Sequence, residues 1–259
     1  MNTVACYKIT PDNQDVAVAP DGSIDLAHAA MVLGEYDLMA IEEAAKVAEA
    51  TEGRAVLLTA GCEALGDTKL VKAALSRGAS ELYSVSDPAL ADADAFQTAT
   101  VLAAALGKME YDLVICGEGS ADRYEQQVGS LLGSLLGLPV VNAVSSIEPR
   151  DGSVVVERAL ENEVEVLEVA LPAVVSVTTD INLPRIPQLK DILAAGKKPV
   201  TTWTLDEVGG LSSACVETVS VKAPGNVERK KVVRVRFGGE RRRAGRQHPR
   251  VPVRQGEIT

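Results

Sequence analysis

The order of apolar and polar residues in the first 140 positions predicts short strands that alternate with helices. Four apolar, largely β-branched runs predict strands, and four segments with helical periodicity follow them. Asp37 is a candidate N-cap of the first helix, and Gly78, Gly107 and Gly137 are candidate C-terminal glycines of the other three. Such alternation requires right-handed crossovers, so it predicts an α/β fold with a parallel sheet covered on both faces. The predicted strands are Val4–Ile9, Ala55–Thr59, Leu82–Val85 and Leu113–Cys116, and the predicted helices are Leu38–Ala50, Leu65–Ser76, Ala93–Leu106 and Gln126–Leu136.

The pattern changes after Pro139, where two short strands, Val154–Glu157 and Val164–Val169, are predicted to pair antiparallel. The continuous β-branched run Ala173–Val177 then predicts a buried strand in the centre of the sheet. The next segment, Pro184–Lys198, is predicted to be a proline-stiffened loop. A long loop that has apolar residues of its own and leaves a buried strand is typically functional. Its apolar residues include Ile186, Leu189 and Ile192.

Composition excludes several classes of function. Apolar residues make up 46% of the 259 and aromatic residues only 3%, so Ala, Val and Leu must fill the core. No run is long and apolar enough to cross a bilayer and no leader pattern is found, so a cytoplasmic protein is expected. His28 and His248 are the two histidines, which argues against histidine-based catalysis or a metal site. The four cysteines show no C-x-x-C pairing and are expected to be buried, reduced thiols. They are Cys6, Cys62, Cys116 and Cys215.

The formal net charge of −10 hides an acidic body and a basic tail. Residues 1–221 hold 14 Lys and Arg against 33 Asp and Glu, a net −19, whereas residues 222–259 hold 12 against 3, a net +9. An acidic body repels phosphate, which argues against nucleic acid as a partner. Residues 240–259 contain six arginines and almost no apolar periodicity, so disorder is expected there. A genuine basic partner-binding tail and a reading-frame error after Gly239 both remain open.

A glycine-rich stretch, Cys116–Gly129, connects the fourth predicted strand to the fourth predicted helix. It lies at the carboxyl edge of the predicted sheet, where parallel α/β folds bind ligands. Gly117 and Gly119 permit close backbone approach to a ligand, and the N–H groups of residues 126–129 present a positive helix end to phosphate. The spacing is neither G-x-G-x-x-G nor a Walker loop. A glycine-rich turn without a ligand therefore remains an alternative on spacing alone.

The stretch Leu171–Pro199, which reads LPAVVSVTTDINLPRIPQLKDILAAGKKP, resembles the signature of the β subunit of electron-transfer flavoproteins. The resemblance covers most of the chain. It implies a three-layer, Rossmann-like fold of the adenine nucleotide alpha hydrolase type for residues 1–203, with a recognition loop at residues 184–199. It also implies an extended C-terminal arm, residues 204–259, that contacts the α subunit.

In this family the loop after the fourth strand holds a nucleotide, which is AMP in the common members and a second FAD in some electron-bifurcating relatives. Val128 stands where many members have threonine, and Gly34–Asp37 lacks their usual Asn-Pro start. Both features resemble the branch associated with carnitine metabolism and nitrogen-fixation Fix proteins, and AMP and FAD both remain open. The residues that the resemblance implies for this site are Cys6, Gly34, Tyr36, Asp37, Ala60, Gly117, Glu118, Gly119, Ser120, Ala121, Asp122, Arg123, Gln126, Gln127, Val128 and Gly129.

The resemblance further implies a heterodimer with an α subunit that carries the working FAD. The chain would then be an electron carrier with no bond-making side chain. Its recognition loop would dock flavoenzymes of the acyl-CoA dehydrogenase or reductase type, with Leu189 anchored in a hydrophobic pocket of the partner. Alternatively, Leu189 and Ile192 fold back onto the chain's own sheet. The implied partner-docking residues are Arg185, Ile186, Leu189, Ile192 and, near the α-subunit FAD, Arg158, with Lys190, Lys197 and Lys198 as steering charges.

Two other classes of protein share this layered architecture. A universal-stress-type module that binds adenine nucleotides alone would need neither the segment Leu171–Pro199 nor an obligate partner. An adenylate-forming enzyme or a pyrophosphatase would need a phosphate loop near the first strand, and Cys6–Asp15 does not contain one.

Overall fold

The computed structural model describes residues 1–224, and the strands of this part form one large sheet and two small ones. The C-terminal arm beyond residue 224, including the predicted disorder at 240–259, lies outside the described residues. The strands are β1 Asn2–Cys6, β2 Ile9–Pro11, β3 Ala17–Val18, β4 Ile24–Asp25, β5 Met31–Leu33, β6 Arg54–Gly61, β7 Glu81–Ser86, β8 Leu113–Gly117, β9 Val140–Arg150, β10 Ser153–Ala159, β11 Val164–Ala170, β12 Ala173–Val177 and β13 Val200–Trp203.

The large sheet has nine strands in the order β11-β10-β9-β12-β8-β1-β6-β7-β13. From β9 to β13 all neighbours in this order are parallel. The strands β10 and β11 extend the sheet as an antiparallel hairpin. Every residue of β12 is buried, as its β-branched run predicts. The predicted α/β fold with a parallel sheet and an antiparallel hairpin is confirmed.

Helices cover both faces of the sheet. Buried residues of α1, α2 and α5 pack on one face, where Ile41 and Leu75 are fully buried. Buried residues of α3 and α4 pack on the other, where Leu106 and Leu132 are fully buried. The helices of the described part are α1 Glu35–Ala50, α2 Thr68–Leu75, α3 Ala95–Leu106, α4 Val128–Leu136 and α5 Leu189–Ala195.

Two glycines let α4 lie directly on the sheet. A Cβ on Gly129 would overlap the Ser176 hydroxyl, and a Cβ on Gly133 would overlap the side chain of Val140. Because only glycine tolerates such close approach, these two positions fix the distance of the helix from β12 and β9. Gly137 ends the helix in the left-handed region at φ 65°. The N-terminus of α4 is thereby held against the carboxyl end of the sheet.

Several local predictions are corrected by the structure. Helix α1 begins one turn earlier than predicted, with Gly34 at the N-cap, so Asp37 lies within the first turn and caps nothing. Gln126 has a left-handed φ of 57° and precedes α4 instead of starting it. The loop predicted at 184–198 contains the helix α5. Of the four cysteines, Cys6 and Cys116 are buried whereas Cys215 is exposed, so the expectation of uniformly buried thiols is wrong.

Among the described residues, the structure contains no helix with the length and apolar character that spanning a membrane requires.

Candidate functional site

A cavity of about 320 Å³ opens at the carboxyl ends of β1, β6 and β8. This is the edge where parallel α/β sheets bind ligands. Of the sixteen residues predicted for the nucleotide site, thirteen line it, whereas Gly34, Tyr36 and Ala121 lie outside the lining. The thirteen are Cys6, Asp37, Ala60, Gly117, Glu118, Gly119, Ser120, Asp122, Arg123, Gln126, Gln127, Val128 and Gly129.

The inner wall of the cavity is apolar. Cys6 ends β1 and Cys116 lies near the end of the neighbouring strand β8, and both thiols are buried. Their mutual hydrogen bond, together with burial, raises the pKa of the Cys6 thiol, so this thiol stays protonated at neutral pH. Leu90 and Leu102 complete the wall on the side of α3. A flat ring system, such as a purine, would bury its face against these apolar side chains and leave contact with water.

The rim of the cavity is a polar loop, residues 118–127, with an unusual backbone. Tyr124 and Gln126 both lie in the left-handed region, at φ 49° and 57°. For residues other than glycine this conformation costs about 1–3 kcal/mol each and is enriched at functional sites. The Tyr124 ring packs on the Tyr36 ring with centroids 5.1 Å apart. The backbone N–H of Tyr124 donates to the Ser120 carbonyl at 2.9 Å. The loop is therefore a defined structure that rests on the start of α1.

Gly117 and Gly119 are required by contacts within the protein itself. A Cβ on Gly117 would lie 2.7 Å from Asp37 Oδ1, and a Cβ on Gly119 would lie 2.6 Å from Tyr124 Cδ2. The glycines were predicted to let a ligand approach the backbone. The structure adds a further reason for them, since they let the rim loop close onto α1.

The N-terminus of α4 faces the same cavity. Gln127, Val128 and Gly129 are all in the lining, and no described side chain accepts a hydrogen bond as the cap of this helix. The first N–H groups of a helix and its dipole favour an anion. Arg123 in the rim adds a cation, although it lies 3.8 Å from Glu125 across a half-exposed ion pair. This end of the cavity suits a phosphate group.

Lys8 lines the cavity and is a residue that sequence reasoning missed. Its Nζ lies 2.6 Å from Asp122 Oδ2 and thus joins the end of β1 to the rim loop. Burial alone would raise the pKa of Asp122, but the hydrogen bonds from Lys8 and Ser120 outweigh it and hold that pKa below its usual range. Lys8 lies inside the predicted strand Val4–Ile9, whereas β1 ends at Cys6 and leaves Lys8 in the connection that follows.

Asp37 forms a buried part of the cavity wall. Its Oδ2 accepts the Lys8 N–H at 2.7 Å, which ties the end of β1 to the first turn of α1. Burial raises the pKa of Asp37 to about 7, although hydrogen bonds from the backbone of Lys8 and Gly117 act in the opposite direction. The carboxyl group therefore holds three chain segments together and changes charge near neutral pH.

A second feature lies on the face of the sheet opposite α3 and α4. The docking segment, defined as residues 184–199, leaves the end of β12 and exposes an unusual set of large apolar side chains. Leu189 is 72% exposed and Ile186 is 91% exposed, and Leu183 just before the segment is 90% exposed. The alternative in which Leu189 folds back onto the sheet does not describe this structure. Ala195 is the residue of α5 that is buried in the core beside α2.

The family model of the electron transfer flavoprotein domain matches residues 23–208. This chain belongs to the electron-transfer flavoprotein family. Proteins of this family are flavin-associated electron carriers, and the match includes both the cavity rim and the docking segment. Membership argues against the stand-alone nucleotide module and against the adenylate-forming enzyme.

In this electron-transfer flavoprotein the docking segment is attached to α1 by charged groups. Arg185 pairs with Glu42 and Glu49, with Nε–Oε2 at 2.8 Å and Nη1–Oε1 at 2.7 Å. Lys198, at the other end of the segment, donates to the carbonyls of Leu75 at 2.8 Å and Ala79 at 2.6 Å. Both cations predicted to face a partner are thus used within the chain.

The remaining predicted docking residues lie in two separate places. Ile192, which is 41% exposed, and the exposed Lys190 and Lys197 are on the docking segment. Arg158 lies in the hairpin strand β10 and pairs with Glu165 of β11 at 3.4 Å. The structure therefore does not bring Arg158 together with the docking segment.

Proposed function

We propose that this electron-transfer flavoprotein chain is a β subunit that binds an adenine mononucleotide, AMP, in its cavity and presents the docking segment to flavin dehydrogenases or reductases. Its partner α subunit would carry the working FAD. The observation that carries the proposal is the convergence of thirteen predicted nucleotide residues on one cavity at the carboxyl edge of the sheet. The partner and the α subunit are predictions from the resemblance, and the cytoplasmic location is a prediction from the sequence pattern.

The size of the cavity favours a mononucleotide over a second FAD. Its volume of about 320 Å³ lies at the lower end of the range of about 300–1,000 Å³ that small-molecule sites span. AMP is therefore the first choice, even though Val128 removes a hydroxyl that many relatives direct at the phosphate.

The residues present suit the parts of AMP. The wall formed by Cys6, Cys116 and Leu102 would cover the adenine ring, and the start of α4 with Arg123 would face the phosphate. Gln126 and Gln127 lie beside it as hydrogen-bonding groups for the ribose. Bound AMP supplies no redox chemistry. It fills the cavity and stabilises the folded chain by mass action.

The docking segment supplies the second half of the proposal. Large apolar side chains that are exposed close together on one segment form the kind of patch that marks surfaces for protein partners. Burying one leucine in a partner pocket stabilises a complex by about 1.5–3 kcal/mol. Leu189 is in the position that the family resemblance assigns to the anchor, and the neighbouring apolar side chains would enlarge the contact.

The absence of the Asn-Pro start at Gly34 and the presence of Val128 support placement in the carnitine- or Fix-associated branch. In that branch electrons would pass between a flavin dehydrogenase, or an acyl-CoA reductase, and the FAD of the heterodimer. No side chain of this chain would make or break a bond in the process. The chain would bind, orient and dock.

The test is co-expression with the α subunit, followed by quantification of the nucleotides released on denaturation. One FAD and one AMP per heterodimer are expected. Two FAD would overturn the AMP assignment, and a stable chain without an α subunit or nucleotide would overturn the whole proposal. Arg123→Gln should lower the AMP content but not the FAD content. Arg150→Gln removes the same charge at the far end of β9 and should change neither.

A further inference from the structure

Arg185 makes more polar contacts than any cation described above. Its side chain donates to both oxygens of Glu42, with Nε–Oε2 at 2.8 Å and Nη2–Oε1 at 3.1 Å. It also reaches both oxygens of Glu49, at 2.7 and 3.3 Å. The Glu42 carboxylate is largely buried, with 9% of its side chain exposed. Paired, planar contacts of this kind are the strongest that a guanidinium makes.

The electrostatics agree with a tight association. Burial alone would raise the pKa of Glu42, but its hydrogen bonds with Arg185 outweigh this, and the net pKa lies below the usual range. The hydrogen bonds to Glu42 and Glu49 raise the pKa of Arg185. Both partners therefore stay charged throughout the physiological range.

The fold leaves space for this guanidinium. Gly78, with φ 105°, follows α2, and a Cβ at that position would lie 3.0 Å from Arg185 Nη1 and 2.8 Å from Ala45 Cβ. Only glycine meets both the backbone and the space requirements. The arginine thus lies in a slot between α1 and the turn after α2.

The backbone of Arg185 is held as well as its side chain. Its N–H donates to Glu42 Oε2 at 2.9 Å, and its carbonyl accepts from Arg77 Nη1 at 2.8 Å. Three residues earlier, Asn182 Nδ2 donates to the Met39 carbonyl at 3.1 Å and to Glu43 Oε2 at 2.9 Å. The chain entering the docking segment is therefore attached to one face of α1.

This attachment compensates for the small amount of apolar packing within the docking segment. Leu183 and Ile186 precede and follow Arg185 in the sequence. Their side chains are about nine-tenths exposed, so they gain little packing against the rest of the chain. A segment whose apolar side chains are exposed has to be ordered by other contacts. Without them, its mobile side chains and backbone would lose conformational entropy on docking, and this loss would weaken the complex. The contacts of Arg185 supply that order.

We propose that Arg185 is a positioning residue, which fixes the docking segment on α1 so that its apolar side chains are pre-oriented for a flavoenzyme partner. This rests on the proposed docking function. It differs from the sequence-based prediction, in which Arg185 itself faces the partner as a steering charge. A positioning role requires Glu42 and Glu49 as much as Arg185, whereas a steering role requires Arg185 alone.

The first test measures the order of the segment without any partner. Amide hydrogen exchange in residues 183–193 is compared in the wild type, Arg185→Gln, the pair Glu42→Gln with Glu49→Gln, and all three together. The exchange rate should rise about tenfold in each variant. This is the change expected when one immobilised side chain becomes mobile. The triple variant should exchange no faster than Arg185→Gln. Arg185→Gln leaves the Glu42 carboxylate buried without its partner, which lowers the stability of the whole fold. Glu49→Gln instead removes a mostly exposed carboxylate. Faster exchange confined to residues 183–193 in this milder variant therefore distinguishes local release of the segment from general unfolding.

The second test measures electron transfer from a purified acyl-CoA dehydrogenase, reduced with its acyl-CoA, to the FAD of the heterodimer. The KM for the dehydrogenase should rise about tenfold in Arg185→Gln and in Glu42→Gln with Glu49→Gln, with kcat unchanged. Lys190→Gln, which removes an exposed charge from the same segment, should lower the association rate at low salt without changing hydrogen exchange.

Two outcomes would overturn the positioning role. One is wild-type hydrogen exchange in the Arg185 and glutamate variants. The other is a raised KM in Arg185→Gln that the double variant Glu42→Gln with Glu49→Gln does not share. A failure of the docking function itself would look different, because Leu189→Ala would then leave the KM at the wild-type value whatever the exchange experiment gives.

Discussion

Lys8 and Asp122 form an ion pair at the mouth of the cavity, with Nζ 2.6 Å from Oδ2. Both side chains keep some exposure to solvent, 43% and 25%, so the pair itself stabilises the fold by only about 0–1 kcal/mol. Its importance lies in position, since it connects β1 to the rim loop and places a cation beside the expected phosphate. Under the proposed function, the pair would contribute to ligand binding more than to stability.

Lys8→Gln should therefore weaken AMP binding by about three- to tenfold, which corresponds to about 0.7–1.4 kcal/mol. The loss follows from one cation fewer near a doubly charged phosphate. Isothermal titration of AMP into nucleotide-free protein measures it. Lys108→Gln is the matched control, because Lys108 lies over Trp203, outside the cavity lining. Equal affinities for the two variants would contradict the assignment of Lys8.

Asp37 should make the stability of nucleotide-free protein depend on pH. Its pKa is about 7 in the folded chain against about 3.9 when unfolded. Between these values the folded state holds a proton that the unfolded state lacks. The free energy of unfolding should thus fall as the pH rises from about 4 to 7, by up to about 1.4 kcal/mol per unit, and then level off.

Urea unfolding at a series of pH values measures this effect in the wild type and in Asp37→Asn. The asparagine cannot titrate, so the free energy of unfolding of the wild type, taken relative to the variant, should fall between about pH 4 and 7 and stay constant above that. Parallel curves for the two proteins would mean that the carboxyl group is already ionised in acid and that its burial has no such consequence.

Gly119→Ala should disrupt the rim loop. Its new Cβ would lie 2.6 Å from the Tyr124 ring, which has to move away from Tyr36. Overpacking of this kind costs about 1–3 kcal/mol, measurable by urea unfolding, and AMP affinity should fall with it. Gly66→Ala provides the control, since a Cβ there would meet nothing within 4 Å. If both alanines were equally tolerated, the rim loop would not need the tyrosine contact.

Leu189→Ala should raise the KM for an electron-donating acyl-CoA dehydrogenase by about tenfold or more, as expected for a leucine worth about 1.5–3 kcal/mol when buried. Stopped-flow reduction of the FAD in the heterodimer gives the value. Val18→Ala removes another exposed apolar side chain, in the small hairpin of β3 and β4, and should leave the KM unchanged. Similar effects of both substitutions would place the docking surface elsewhere.

The sequence predicted the fold best where the pattern of apolar residues along the chain matches the burial of those residues in the structure. Ala173–Val177 is a continuous β-branched run because both faces of a central strand are covered, and β12 is buried throughout. The long strand β9 was not predicted. It carries Asn142, two serines and Pro149, its burial follows no regular period, and Ala143 has a left-handed φ of 56°. Its pairing with β10 and β12 decides its conformation, and a single sequence does not contain that information.

Contacts between distant segments explain the other differences. Asp37 has the local features of an N-cap, but it lies in the first turn of α1, where it contacts Lys8 after β1 and Gly117 at the end of β8. The prolines at 184 and 187 indicated a loop, whereas Gln188 and Asp191 form a capping box that starts α5. The positions lining the cavity could be assigned because a family resemblance had already ordered them. Lys8 had no such guide.

Helix α1 contributes Asp37 to the wall of the cavity and, one and three turns further on, Glu42 and Glu49 to the slot of Arg185. If the chain binds a nucleotide and docks partners as proposed, a substitution that shifts this helix would disturb both together. Anyone who wishes to redirect the carrier to a new dehydrogenase should therefore alter only the outward tips, Ile186 and Leu189, and leave the supporting helix as it is.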